Sequence, residues 1–394
     1  MFFNRKLVKE IEKYLNQPEI IVLTGMRRVG KTTLLRSIYD KTKSANKIFL
    51  DIENPIDQKI FEETDYHNII KNLEGLGLKA KDKLYIFLDE IQAKPDIVKA
   101  IKYLHDHYRA KFFLTGSSSF YLKNLFPESL AGRKIIFELF PLDFEEFLTF
   151  KGQIKKFDSD FFKKAKNKNI IIHEKFKKLY DEYLLYGGFP QVVLSDSRQK
   201  KKQRLSDIFK SYFEKDVRML ADFKNLRVFR DLMLLLLERT GSKLDIAKLA
   251  KEMGVTRDTV YSYLYFLEGT YFIKLIAPYS QSRGREVSGG KKVYICDNGF
   301  VSQFSRASSG ALLENAVSRE LIKYGEVRYY QKRTGQEIDF ILKDKKIAFE
   351  IKQKGNLADY KRLTGLAKQI KIKKYYIISK EFVEEKNFIA ATDL

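Results

Sequence analysis

The chain has 394 residues and a formal net charge of +23, an excess that points to polyanionic partners, nucleic acid first, without specifying a fold. One cysteine, Cys296, excludes an internal disulfide and a cysteine-rich zinc site, and four histidines leave chemistry to carboxylates, lysines and arginines. No apolar run approaches the ~18 residues of a membrane span, and Met1-Phe2-Phe3-Asn4-Arg5-Lys6 lacks the apolar core of a signal peptide, so a cytoplasmic protein without membrane contact is expected.

Residues 5–17, with Leu7, Ile11 and Leu15 four apart, predict an amphipathic helix under the first strand. The apolar run Ile20-Ile21-Val22-Leu23-Thr24 predicts a buried strand, and a helix resumes at Leu34. Between them Gly25-Met26-Arg27-Arg28-Val29-Gly30-Lys31-Thr32-Thr33 fits G-x-x-x-x-G-K-[ST] in the strand-loop-helix context that this motif requires. Gly25 and Gly30 let the backbone curl, so that N–H groups from Arg27 to Thr33 face one anion at a helix N-terminus. Lys31 then reaches the β- and γ-phosphates and the Thr32 hydroxyl is placed for Mg²⁺, which makes ATP and Mg²⁺ the expected ligands.

Residues 47–51 predict a second strand, 69–78 a helical stretch, and 84–88 a third strand that delivers Asp89-Glu90 at its C-terminal end. Asp89 suits the water shell of Mg²⁺, and Glu90 suits polarisation of an attacking water. Asp51 has no second carboxylate to help it and is read as structural. A helix over 96–108, with His105 and His107 as solvated positions, leads to a fourth strand at 111–116. Ser117, Ser118 and Ser119 follow at its tip, where a hydroxyl can report on the γ-phosphate; turn chemistry explains such a run equally well. Arg133 immediately precedes a fifth strand at 134–139. It is either a donor to the transition state on a neighbouring subunit or an ordinary surface arginine.

Arg27-Arg28-Val29 in the phosphate loop, Asp89-Glu90-Ile91-Gln92, Thr115-Gly116-Ser117-Ser118, and Leu130-Ala131-Gly132-Arg133 with Phe140-Pro141-Leu142 and Phe147 resemble a prokaryotic, archaeal-type AAA+ ATPase family. Its members carry a winged helix and a C-terminal PD-(D/E)xK nuclease-like domain. The resemblance implies an α/β fold with a five-stranded parallel P-loop sheet and a helical lid. It also implies a Walker B pair at Asp89 and Glu90, a sensor at Ser117 or Ser118, and Arg133 as an arginine finger in a homo-oligomer.

Helical periodicity runs through 143–240, the expected lid, with basic runs at 151–168 and 198–204 that are solvated faces or nucleic-acid contacts. Asp245 and Thr256 are candidate caps of two helices joined at Gly254, a helix-turn-helix with Arg257, Tyr261, Ser262 and Tyr265 facing outward. Strands at 271–276 and 292–296 would enclose a wing bearing Arg283 and Arg285, favouring DNA contact over protein packing.

From Gly310 the order helix, three strands, helix, strand matches the nuclease-like core that the resemblance implies. It offers Glu314 on the helix, Asp339 on the second strand and Glu350-Ile351-Lys352 on the third. Carboxylates so placed can hold a second divalent metal, with Lys352 on the same side of its strand as Glu350 to orient water. The alternative is a domain that keeps the fold and binds without cutting. The expected domains are 1–142, 143–240, 241–298 and 305–394. The expected function is a Mg²⁺-dependent ATPase coupled to DNA; the alternatives are an ATP-regulated DNA endonuclease and a slow ATPase switch that contacts other proteins.

Overall fold

The computed structural model describes residues 5–116, 132–217, 225–280, 282, 284, 286 and 289–394. Contacts gather them into two units. The first comprises Met1–Phe140 with two short later segments, Glu214–Ala221 and Gly269–Tyr271; the second comprises Pro141–Phe213, Asp222–Glu268 and Phe272–Leu394.

The first unit is built on five parallel strands: β1 Ile20–Thr24, β2 Lys47–Asp51, β3 Leu84–Asp89, β4 Ala110–Gly116 and β5 Lys134–Glu138. Their order is β2-β3-β4-β1-β5. β1 and β4 are buried along their whole length, as a parallel sheet covered by helices on both faces requires. The helix Lys31–Lys41 buries Leu34, Leu35 and Ile38, and the helix Ile97–His107 buries Ile97, Ile101 and Leu104, each an apolar stripe at helical spacing. β4 lies between β1 and β3, with Gly116 beside Thr24 and Leu114 beside Leu88. The C-terminal ends of three strands that are far apart in sequence therefore meet at one edge.

The N-terminal helix is shorter than its periodicity predicts. It spans Lys6–Glu12 and buries Val8 and Ile11, while Leu7 and Leu15 are half-buried. Pro18 disfavours helical backbone at the residue before it and supplies no N–H donor, so a helix cannot continue through 17 and 18 unpenalised.

In the second unit the helices Phe144–Phe150, Ile170–Tyr186 and Arg198–Ser211 come first. Phe144, Phe147, Tyr180 and Tyr183 pack edge-on or tilted into the core. Asp143 and Glu146 form a reciprocal cap at the start of the first of these helices. The helices Leu226–Glu238, Ile246–Met253 and Arg257–Gly269 follow, then the antiparallel pair β6 Ile273–Ile276 and β7 Lys292–Ile295. Asp245 caps Lys248 N–H, Gly254 ends its helix in the left-handed conformation (φ 65°), and Thr256 accepts from Thr259 N–H.

The C-terminal part has the helix Ser309–Ile322, β8 Val327–Gln331, β9 Glu337–Leu342, β10 Ile347–Lys352, the helix Leu357–Gln369 and β11 Lys374–Ser379. A further strand, β12 Phe388–Ala390, extends the sheet to the order β12-β11-β10-β9-β8. β10, β11 and β12 run parallel, and β8 and β9 alternate in direction.

The first basic run divides in two. Lys155 Nζ donates to Asp393 Oδ1 (2.6 Å) and the buried Lys164 Nζ to Asp393 O (2.6 Å), so both are pins for the last residues of the chain, whereas Lys156, Lys163 and Lys166 are exposed. Burial pushes the Lys164 ammonium down to about 8. Among the described residues, no helix is long and apolar enough to cross a membrane.

Candidate nucleotide site and charged clusters

The phosphate loop is shaped by its glycines and by what presses on them. A Cβ at Gly25 would stand 2.1 Å from the carbonyl oxygen of Leu139, so the close approach of β1 to the end of β5 excludes any side chain there. Gly30, at φ 99°, turns the chain into the helix Lys31–Lys41. Behind the loop, Arg5 donates from Nη1 to Val29 O (2.9 Å) and from Nη2 to Phe140 O (2.7 Å). Lys31 is 4% exposed, and its Nζ donates to Gly25 O (3.0 Å) and Met26 O (3.2 Å). Burial lowers its pKa, and the negative charges of Glu90, Asp216 and Asp89 oppose that shift.

The two carboxylates at the C-terminal end of β3 are organised from β4. The Thr115 hydroxyl donates to Asp89 Oδ1 and accepts the Glu90 backbone N–H at 3.0 Å. Asp89 is 4% exposed; burial raises its pKa, and hydrogen bonds from Thr115 and Thr32 pull it back. Thr32 and Asp89 are thus joined across the loop. Glu90 holds left-handed backbone (φ 55°), uncommon for a residue with a Cβ, and its carboxylate accepts from the Gln92 amide. Asp51 Oδ1 caps the Glu53 N–H in a local turn, a structural role.

The two later segments of the first unit supply residues that no local sequence pattern marks. Asp216, 1% exposed, lies 3.0 Å from Arg27 Nε through Oδ2. Tyr271, at φ 64°, donates its hydroxyl to Glu138 Oε1 (3.0 Å) and sets its ring edge-on to Phe140. Arg133 sits at the other end of the sheet, where Lys134 of β5 pairs with Ile20 at the start of β1. Its Nε donates to Asp106 Oδ1 (2.8 Å), beside His105. Ser117, Ser118, Ser119, Leu130, Ala131, Arg283 and Arg285 lie outside the described residues.

In the second unit, Arg257, Tyr261, Ser262 and Tyr265 are exposed on one helix, while Val260, Leu264 and Leu267 are buried. The acidic residues of the C-terminal sheet are heavily engaged. Asp339 Oδ2 accepts Ile351 N–H (2.7 Å), at the residue between Glu350 and Lys352. Glu350 pairs with Lys352 (2.9 Å) and with Arg362. Glu314 accepts the Tyr294 hydroxyl (2.6 Å) and lies 3.5 Å from Lys292 Nζ, which also reaches Glu337 (3.4 Å). Burial, followed by the charge of Asp339, raises the pKa values of both Glu314 and Glu350. Three cations thus stand among the carboxylates expected to hold a second metal. Among the described residues, no group of three or more His, Cys, Asp or Glu is arranged to hold a metal ion.

An AAA domain family model matches residues 17–148, and two domains of unknown function, DUF8612 and DUF4143, match 177–310 and 309–389. Uncharacterized protein MJ1544 of Methanocaldococcus jannaschii is 30% identical over 349 residues, which span 85% of this chain and 74% of that protein. An uncharacterized protein of Haemophilus influenzae is 26% identical over 379 residues, 91% of this chain and 90% of the relative. Among solved structures, a Walker-type ATPase of Pyrococcus abyssi matches 77% of this chain and 95% of its own, with a TM-score of 0.47 and 16% identity.

Proposed function

The chain belongs to the prokaryotic AAA-domain family that includes MJ1544 of Methanocaldococcus jannaschii, and from this premise we propose that it hydrolyses ATP with Mg²⁺ and couples turnover to DNA. The observation that carries the hydrolytic part is the meeting of Lys31, Thr32, Asp89 and Glu90 at one sheet edge, with Thr115 bonded to both acidic residues. Lys31 and the loop N–H groups bind phosphate. Thr32 and Asp89 form an oxygen pair that fits Mg²⁺, a hard cation that would draw charge off the β- and γ-phosphates when bound. Glu90 orients a water and takes its proton. Thr115 holds Asp89 and the backbone of Glu90 in mutual register. Arg133 lies at the end of the sheet away from the phosphate loop, which supports the reading that it acts on the nucleotide of an adjacent subunit.

The DNA part rests on the net charge of +23 and on the exposed face of Arg257, Tyr261, Ser262 and Tyr265. We read that helix, its predecessor and the β6–β7 pair as a winged helix, a reading that their order and the antiparallel pairing of β6 with β7 support. In the C-terminal domain we read Glu314, Asp339, Glu350 and Lys352 as a PD-(D/E)xK constellation, and the ion pairs of Glu314 with Lys292 and of Glu350 with Lys352 and Arg362 support binding without cleavage.

The test is ATP hydrolysis by the purified protein, with and without duplex DNA, beside Lys31→Ala. Turnover that rises with DNA and vanishes in the variant supports the proposal. Lys31-dependent turnover indifferent to DNA removes the DNA coupling and leaves a protein-contacting switch. Turnover that survives Lys31→Ala removes the phosphate loop from the reaction.

A further inference from the structure

The first unit contains a buried carboxylate that the hydrolytic reading does not use. Asp216 lies in the wide helical turn Tyr212–Val217, directly after the helix Arg198–Ser211. A charge this buried is costly unless it is paired, and its partner is Arg27, one residue beyond Met26 in the phosphate loop. The negative charge of Asp216 also acts on Lys31. The two cations that a nucleotide phosphate would meet therefore already share an anion supplied by the protein.

A carboxylate near a phosphate site repels the ligand more strongly as the ligand's charge grows. The Arg27 guanidinium, held in an ion pair with Asp216, has less charge to offer a phosphate oxygen while that pair persists. Resting on the ATP-binding reading above, we propose that Asp216 is a built-in competitor of the terminal phosphate: triphosphate binding exchanges the Arg27–Asp216 pair for an Arg27–phosphate contact and frees the segment that carries Asp216. The residue then discriminates between nucleotides by phosphate number.

The experiment uses the full chain and measures Kd for ADP and for a β,γ-imido ATP analogue in wild type, Asp216→Asn, Arg27→Ala and the double variant. Asp216→Asn tightens binding of the triphosphate by roughly threefold or more beyond any change for ADP, and this gain shrinks when Arg27 is absent. In wild type, amide exchange across 212–217 accelerates with the triphosphate analogue and not with ADP. Triphosphate binding that is unchanged or weakened by Asp216→Asn overturns the proposal, since it means that Asp216 only orients Arg27. Should Asp216→Asn fold poorly by circular dichroism, the wild-type exchange experiment decides alone, and unaltered exchange is the negative result. A wild type that binds neither nucleotide rejects the ATP reading itself, an outcome distinct from failure of the competitor.

Discussion

Thr115 and Asp89 sit on adjacent strands, and the hydroxyl of the first donates to the carboxylate of the second while accepting the N–H of Glu90. One side chain thereby fixes the carboxylate assigned to metal and the backbone of the carboxylate assigned to water. Thr115→Val keeps the shape and deletes both bonds. Turnover should fall by roughly 10–100-fold, with the Kd of a non-hydrolysable ATP analogue nearly unchanged. An equal loss in binding and turnover would mean that Thr115 shapes the loop and not the reaction.

Gly25→Ala forces a methyl group against Leu139 O, which stands 2.1 Å from its ideal position. Relief requires β1 and the end of β5 to part, a cost of about 1–3 kcal/mol by analogy with overpacked cores. Thermal unfolding and nucleotide titration of the same sample should show lower stability and weakened ATP binding together.

Arg133 is held by Asp106 at the sheet edge away from the phosphate loop. If it serves a neighbouring subunit, Arg133→Ala should lower turnover by about 10³-fold, and mixing it with Lys31→Ala should restore part of the rate. In that mixture an intact phosphate loop on one chain can meet an intact Arg133 on another. Full activity of Arg133→Ala alone would make it the surface residue that its ion pair with Asp106 allows.

In the C-terminal part, Glu314 of the helix is paired with Lys292, and Glu350 of β10 with Lys352 and Arg362. Plasmid and single-stranded DNA incubated with the protein and Mg²⁺ or Mn²⁺ should remain intact on a gel, and Asp339→Ala should leave that result unchanged while lowering stability through the lost Ile351 bond. Cleavage that disappears in Asp339→Ala would show that a metal displaces these cations.

Asp297 accepts the N–H groups of Gly188 (2.6 Å) and Gly299 (2.8 Å), and burial raises its pKa from 3.8 to about 7. Between those values the folded chain binds more protons at this site than the unfolded chain, so its contribution to stability falls as pH rises from about 4 to 7 and levels off above. Asp297→Asn cannot titrate, and its amide sets an NH₂ against one of the two donors, at a cost of ~1–3 kcal/mol. The Tm gap between wild type and variant should narrow from pH 5 to pH 8. A gap that stays constant would place the titration elsewhere.

The sequence carries what is local. The phosphate loop, its flanking strand and helix, the acidic pair after β3, and the caps Asp245 and Thr256 each depend on residues a few positions apart, and they appear where periodicity and capping chemistry place them. What depends on strand order escapes such reading. Thr115 gains its partners because β4 is inserted between β1 and β3, and no pattern within β4 encodes that neighbour. Lys155 and Lys164 look like members of a solvated run because their partners at 392–394 are more than two hundred residues away. β12 has three residues, too few for a period of two to declare itself. Asp216 and Tyr271 show no local signal at all, since each acts on the phosphate loop or its strands from a distant part of the chain.

The threading of the first unit limits how this protein can be taken apart. A gene fragment stopped at codon 140 would encode the phosphate loop, all five strands and the acidic pair, yet leave Arg27 without Asp216 and Glu138 without the Tyr271 hydroxyl. Such a fragment could still turn over ATP, but its affinity and rate would belong to an altered site. The same threading constrains recombination between relatives: an exchanged N-terminal half keeps these pairs only where the half it joins supplies a matching Asp216 and Tyr271.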